Sequence, residues 1–190
     1  MLEVLITIVI VALGLLGIAG LQSRMQLAEL EAYQRTQAIV ILQEMVDRIN
    51  ANRKNAASYV TGSPRGTGNA VADCSSLTGA NFDLCQWNTA LLGAAETDPG
   101  STNIGAMIGA CGCITNPVAT MPREVVVAVV WQGITPTAAP TTTNCGSGSY
   151  GNDATRRAMV TRIMIGCLQN AAGGQCCTMN PVTGVCEIPP

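Results

Sequence analysis

The N-terminal part of the chain carries one long apolar run, residues 4–21 (VLITIVIVALGLLGIAGL), in which Thr7 is the only polar side chain. As a helix this run would extend about 27 Å, close to the hydrocarbon thickness of a bilayer. The pattern therefore predicts a helix that can span a membrane. Glu3 stands directly before the run. A carboxylate there is costly unless a positive group meets it, so Glu3 is a candidate functional residue.

After the apolar run, hydrophobic positions recur every three to four residues, which is the period of one helix face. No proline occurs before residue 64, so we predict one continuous helix over residues 1–54, followed by a head of residues 55–190. The apolar half contains glycines three residues apart. They either let two helices approach closely or weaken the helix locally, at about 1 kcal/mol each relative to Ala, and both effects can hold. The face consists of Leu21, Met25, Ala28, Ala32, Ile39, Leu42, Val46 and Ile49, and the glycines are Gly14, Gly17 and Gly20.

The head shows one short helical pattern and three patterns typical of strands. The helix is predicted at 81–95, opened by Asn81 or Asp83. The strands are predicted at 109–115, 123–133 and 156–168, the second of them buried on both faces. We read residues 59–70, 134–153 and 169–190 as loops. The fold class is therefore α+β, a long helix packed on a small antiparallel sheet. The expected core includes Trp87 and Trp131, and the buried side of the short helix is Phe82, Cys85, Leu91 and Leu92.

Cysteines are expected to stabilise this head, because one Phe, two Trp and three Tyr make a thin core. All nine cysteines follow the apolar run, which indicates a disulfide-stapled domain in an oxidising space. Nine is odd, so at least one thiol is free or pairs between chains. Short separation favours Cys74–Cys85, and Cys186 with either Cys176 or Cys177, while the other pairings stay open. The candidates are Cys74, Cys85, Cys111, Cys113, Cys145, Cys167, Cys176, Cys177 and Cys186.

The net charge and the absence of histidine argue against several classes of function. The net charge is −2 with ten dispersed basic residues, which argues against nucleic acid as a partner. The absence of histidine excludes His-assisted nucleophiles, His-ligated metals and haem attachment. We expect no enzymatic activity, no catalytic residue, no cofactor and no metal site.

Four stretches carry a family resemblance: LEVLITIVIVALGLLGIAGLQ, AYQRTQAIVILQEMVDRINANR, LCQWNTALL and REVVVAVVWQG. They resemble the type IV pilins, and among these the minor-pilin subgroup called type IV pilus modification protein PilV. The likeness is strong over residues 1–55 and looser in the later elements, and little of 134–190 matches. In type IV pilins further residues precede the glutamate, whereas only Met1 and Leu2 do here. We therefore expect the leader and the first mature residues to be missing from this sequence.

The resemblance implies how the protein is processed and assembled. The precursor waits in the bacterial inner membrane, a prepilin peptidase clips and N-methylates it, and the pilus assembly machinery extracts it into an extracellular filament. Within that filament the apolar helix packs against other pilin subunits. Glu3 pairs with the N-terminal ammonium of a neighbour, which sets axial register, and the region of Gly14, Gly17 and Gly20 loses helicity. Whether the chain is a minor or a repeating subunit stays open.

Two other functions compete with this one. A pseudopilin of a secretion apparatus would form a short periplasmic filament. Such subunits often bind calcium in their C-terminal loops, where this chain has few acids. A membrane-tethered thiol oxidoreductase is the other alternative, and the lack of a C-x-x-C motif argues against it.

Overall fold

In the computed structural model the chain divides into two compact units, Met1–Thr36 and Gln37–Pro190. The structure describes residues 2–93, 107–117, 124–165, 178–179 and 186–187. One continuous α-helix, α1, covers Leu2–Ala51 and is followed by a 3-10 helix, Arg53–Tyr59. The prediction of a single uninterrupted N-terminal helix is therefore confirmed, with its end three residues earlier than expected.

A four-stranded antiparallel sheet forms the centre of the second unit, in the order β1-β2-β3-β4. Its strands are β1 (Arg65–Gly66), β2 (Cys111–Thr115), β3 (Glu124–Gln132) and β4 (Arg156–Met164). β2, β3 and β4 correspond to the three predicted strands, although β4 ends before the predicted residues 165–168. β1 lies inside the segment predicted as loop. A strand of two residues is too short to show the alternating pattern by which strands are predicted.

The C-terminal segment was predicted to be loop throughout, and that prediction is wrong in part. Strand β5, Thr178–Met179, pairs antiparallel with strand β6, Cys186–Glu187. Each of these strands is only two residues long, so no hydrophobic period predicts them. The rest of the predicted C-terminal loop lies outside the described residues.

The short helix of the head, α2, covers Gly79–Leu91 with Thr78 as its N-cap residue. It therefore begins before the predicted caps Asn81 and Asp83, and it ends before residue 95. Its buried face is only partly the predicted one, since Leu91 alone of the four predicted residues is fully buried. Phe82, Cys85 and Leu92 are only partly buried, because the helix is turned so that the i, i+3, i+4, i+7 set faces the core. That set is Leu84, Trp87, Asn88 and Leu91.

The main core lies between the inner face of the sheet, α2 and the C-terminal part of α1. Trp87 is completely buried, and its indole Nε1 donates a hydrogen bond to the carbonyl oxygen of Ile41 at 3.1 Å. The core placement predicted for Trp87 and Trp131 is confirmed. The principal core side chains are Ile41, Met45, Ile49, Leu84, Trp87, Leu91, Ile114, Val125, Val127, Val129 and Trp131.

A smaller cluster covers the opposite face of the sheet. Ala128 and Val130 of β3 pack there with Cys111 of β2 and with Cys145 and Tyr150 of the 134–153 loop. β3 is thus buried on both faces, as its run of valines predicted.

Arg156 fastens the 134–153 loop over this second cluster and is only 3% exposed. Its guanidinium donates to the carbonyl oxygens of Pro140 (3.1 Å), Thr143 (2.8 Å) and Cys145 (3.1 Å). It also donates two hydrogen bonds of 2.8 Å to the two carboxylate oxygens of Asp153. One buried side chain therefore satisfies polar groups along most of the loop.

Candidate functional site

The apolar half of α1 is a candidate interaction surface because its side chains are exposed. Its most apolar window of 18 residues has a mean hydropathy of 2.8, and none of that window is buried. Large aliphatic side chains are exposed around the whole circumference, for example Ile10 at 63% and Leu16 at 69%. By length and composition α1 can cross a membrane, and it is the one such helix among the described residues. A surface of this kind requires an apolar partner.

Glu3 lies in the first turn of this helix, where its carboxylate is favoured by the helix dipole. Its side chain is exposed, and no hydrogen bond or ion pair involves it within the described part of the chain. The nearby Thr7 is locally satisfied, because its hydroxyl donates to the carbonyl oxygen of Val4 at 2.9 Å. Among the described residues, no positive group neutralises Glu3.

The three glycines remain helical in the single chain. A Cβ atom built at Gly14, Gly17 or Gly20 meets nothing within 4 Å apart from the helix's own neighbouring backbone. Spaced three apart, they lie within about 120° of the helix circumference. Packing within this chain therefore gives no reason for glycine at these positions. Both predicted roles, close helix approach and local weakening, depend on a partner or on an assembled state.

Two disulfides staple the described part of the head. Cys74–Cys85 ties the segment before α2 to the helix itself, which is the pairing that their short separation favoured. Cys113–Cys145 ties the 134–153 loop to β2 across a sequence separation of 32 residues, a pairing that the sequence left open. Each bridge restricts the conformations of the unfolded chain. A disulfide typically stabilises the folded state by about 2–4 kcal/mol in this way.

Cys111, a disulfide candidate from the sequence, is a free thiol and is buried. It lies two residues from the bridged Cys113, so one strand carries both a free thiol and a disulfide-bonded cysteine. Burial raises the pKa of the Cys111 thiol, and contacts with Tyr150 and Thr67 only partly offset this. The thiol therefore stays protonated at neutral pH and is a poor nucleophile. The side chains of Cys167, Cys176, Cys177 and Cys186 lie outside the described residues, so the predicted pairing of Cys186 stays a prediction.

A polar network that the sequence did not reveal holds α2 on the C-terminal part of α1. Arg48 donates to one carboxylate oxygen of Asp83 at 2.8 Å and to Glu44 at 2.6 Å, and the Tyr59 hydroxyl donates to the other oxygen of Asp83. Burial, and next the hydrogen bond to Asp83, raise the pKa of Tyr59. Arg48 and Asp83 are 35 residues apart, so no local pattern marks the pair.

The described part of the chain contains no group of three His, Cys, Asp or Glu side chains able to hold a metal ion. The prominent unexplained feature is thus the exposed apolar half of α1. No protein-family model, curated protein or solved structure matches this chain.

Proposed function

We propose that the chain is a structural subunit that polymerises through its apolar N-terminal helix into a type IV pilus-like surface filament. The observation that carries the proposal is the unburied apolar half of α1, joined to a head with a sheet and two disulfides. A soluble monomer does not leave such a helix in water. The family resemblance of residues 1–55 supplies the particular kind of assembly.

Between Leu2 and Leu21, 13 large aliphatic side chains are exposed to solvent. Burying a side chain of this size stabilises by roughly 1.5–3 kcal/mol, so their combined burial is worth on the order of 20 kcal/mol. Lipid and a bundle of identical helices both satisfy this demand. The same segment can therefore reside in the inner membrane first and in a filament core afterwards, with little change in apolar burial.

Glu3 is the proposed register device in that core. A carboxylate among apolar helices is tolerated where a cation meets it, and the N-terminal ammonium of a neighbouring subunit is the cation that the resemblance implies. Such a pair adds little net stability, whereas an unpaired member is very costly. It therefore selects one axial offset between subunits.

The head suits a subunit exposed outside the cell. Two bridges and a loop anchored by buried Arg156 restrain its connections. The buried, protonated Cys111 and the bridged Cys113 do not form a thiol–disulfide exchange pair of the usual reactive type, so a thiol oxidoreductase is the weaker proposal. A pseudopilin shares the exposed helix and differs in where its filament ends.

Quantitative peptide mass spectrometry of filaments sheared from cells that express the chain tests the proposal. If this chain dominates the sheared material, it is the repeating subunit, and a trace amount beside another pilin identifies a minor subunit. A chain that remains wholly in the membrane fraction contradicts a surface filament and favours a pseudopilin or a simple membrane anchor. N-methylation of its first mature residue would support processing by a prepilin peptidase.

The role of Glu3 is tested by Glu3→Ala with Glu29→Ala as the matched control, since both acids are exposed on α1. We expect Glu3→Ala to remain in the membrane but to be strongly depleted from sheared filaments. Glu29→Ala should assemble near the wild-type level. Normal filament yield and subunit ratio for Glu3→Ala would show that Glu3 does not set register.

A further inference from the structure

A cleft of about 310 Å³ opens in the head between α2 and the segment that follows β1. Its polar side chains include Arg65, Asn69 and Asn81, and its apolar wall includes Leu77 and Leu84. We call it the Arg65 cleft. It lies beside Cys85, which is bridged to Cys74. None of the described residues that line it is acidic, so its charge is that of Arg65.

The walls of the Arg65 cleft are held in place without a ligand. Asn88, which is 6% exposed, accepts a hydrogen bond from the Gly66 backbone N–H at 2.8 Å and donates to the Ala70 carbonyl at 3.0 Å. Asn69 donates from its amide nitrogen to the carbonyl oxygens of Pro64 and Gly66 at 3.1 and 3.2 Å. These bonds, with the Cys74–Cys85 bridge, fix the segment after β1 against α2, so little ordering entropy is lost when a ligand enters.

Arg65 is the exceptional residue of this cleft. Its Nε atom is buried and has no hydrogen-bond partner in the described part of the chain. Over the same residues, no ion pair or hydrogen bond involves its guanidinium. Arg48 and Arg156, which are also at most partly exposed, each bind a carboxylate at 2.8 Å. Among the described residues the guanidinium has no acceptor of its own, so its charge is available to a ligand that enters the cleft.

We propose that the Arg65 cleft binds the carboxylate group of a small ligand. A guanidinium matches the planar carboxylate with a two-pronged hydrogen bond, and one cation balances one negative charge. Asn81 has no hydrogen bond within the described residues, so its amide is free to bind a ligand hydroxyl or carbonyl. Leu77 and Leu84 contact the ligand's apolar part. This binding site is independent of the proposed filament assembly, and it lies in the head.

The test is a ligand-observed NMR titration of the full chain in neutral detergent, with glucuronate, acetate, glucose and inorganic phosphate as probes. We expect glucuronate and acetate to bind and glucose not to bind. Arg65→Gln should weaken glucuronate binding about tenfold or more, because it removes a charged hydrogen bond. Arg53→Gln removes the same charge from an exposed position and is the matched control. It should change affinity less than about twofold.

A second variant, Asn81→Ala, guards against a folding defect in Arg65→Gln, because Asn81 is exposed and its loss leaves the core intact. It should weaken glucuronate more than acetate. Glucuronate binding tighter than acetate identifies a sugar acid as the ligand class, and equal binding identifies a bare carboxylate. The proposal is overturned if neither carboxylate binds, if glucose or phosphate binds as tightly, or if Arg65→Gln and Arg53→Gln weaken binding equally.

Discussion

Arg156→Met is expected to destabilise the head by about 3 kcal/mol, the lower end of the range for removing one member of a buried charged pair. Methionine preserves most of the buried volume but donates no hydrogen bond. The carbonyl oxygens of Pro140, Thr143 and Cys145 then lose the donor that binds them now. Asp153, which is 35% exposed, can be rehydrated, and this keeps the cost from being higher.

The measurement is equilibrium unfolding of the full chain in neutral detergent, followed by the fluorescence of Trp87 and Trp131. Arg162→Met is the matched control on the same strand. Arg162 is 70% exposed and pairs with Glu124 at 2.7 Å, so its loss should cost less than about 1 kcal/mol. Arg156→Lys keeps the charge but not the planar fork, and its free energy of unfolding should fall between those of the two methionine variants.

If Arg156→Met unfolds at the same denaturant concentration as Arg162→Met, Arg156 does not anchor the loop. That result would mean that the Cys113–Cys145 bridge alone holds the 134–153 loop. A drop in stability that disappears when the bridge is also removed would mean that Arg156 holds the loop only while the bridge is intact. An additive loss in the Arg156→Met, Cys113→Ser double variant supports two separate anchors.

Three further predictions address the core, the free thiol and the acid response. A Cβ at Gly112 would lie 2.3 Å from the indole of Trp87, so Gly112→Ala should cost about 1–3 kcal/mol. Gly62→Ala is the control, because a Cβ at Gly62 meets no atom within 4 Å, and it should leave the unfolding midpoint unchanged. Equal unfolding midpoints for the two alanine variants would contradict the close packing of Gly112 against Trp87. Cys111 should resist alkylation in the native chain and react on unfolding without reductant, as read by peptide mapping; rapid native labelling would contradict its burial. The hydrogen bonds from Arg156 lower the pKa of Asp153 below its ordinary value of 3.8. Its stabilising effect should therefore be complete above about pH 4 and be lost as pH falls through the lower folded-state pKa. Asp153→Asn should remove that part of the acid response, and an unchanged pH profile would argue against it.

Some of the site could be predicted from the sequence and some could not, as the cysteines illustrate. Cys74 and Cys85 are 11 residues apart, so proximity along the chain was enough to pair them. Cys113 and Cys145 meet only because β2 and the 134–153 loop share one face of the sheet. The same folding leaves Cys111 without a partner among the described residues. Two cysteines separated by one glycine have no local property that would distinguish their fates.

Elements whose signal is local could be predicted from the sequence alone. The uncharged run after Glu3, the helical period that continues it and the valine-rich strand β3 each depend on neighbouring residues and on burial of a whole face. Four features became visible only in the folded chain: the position of β1, the buried face of α2, the loop anchor at Arg156 and the Arg65 cleft. Each of these depends on backbone groups or side chains brought together from distant parts of the chain, where the hydrophobic pattern carries no information about partners.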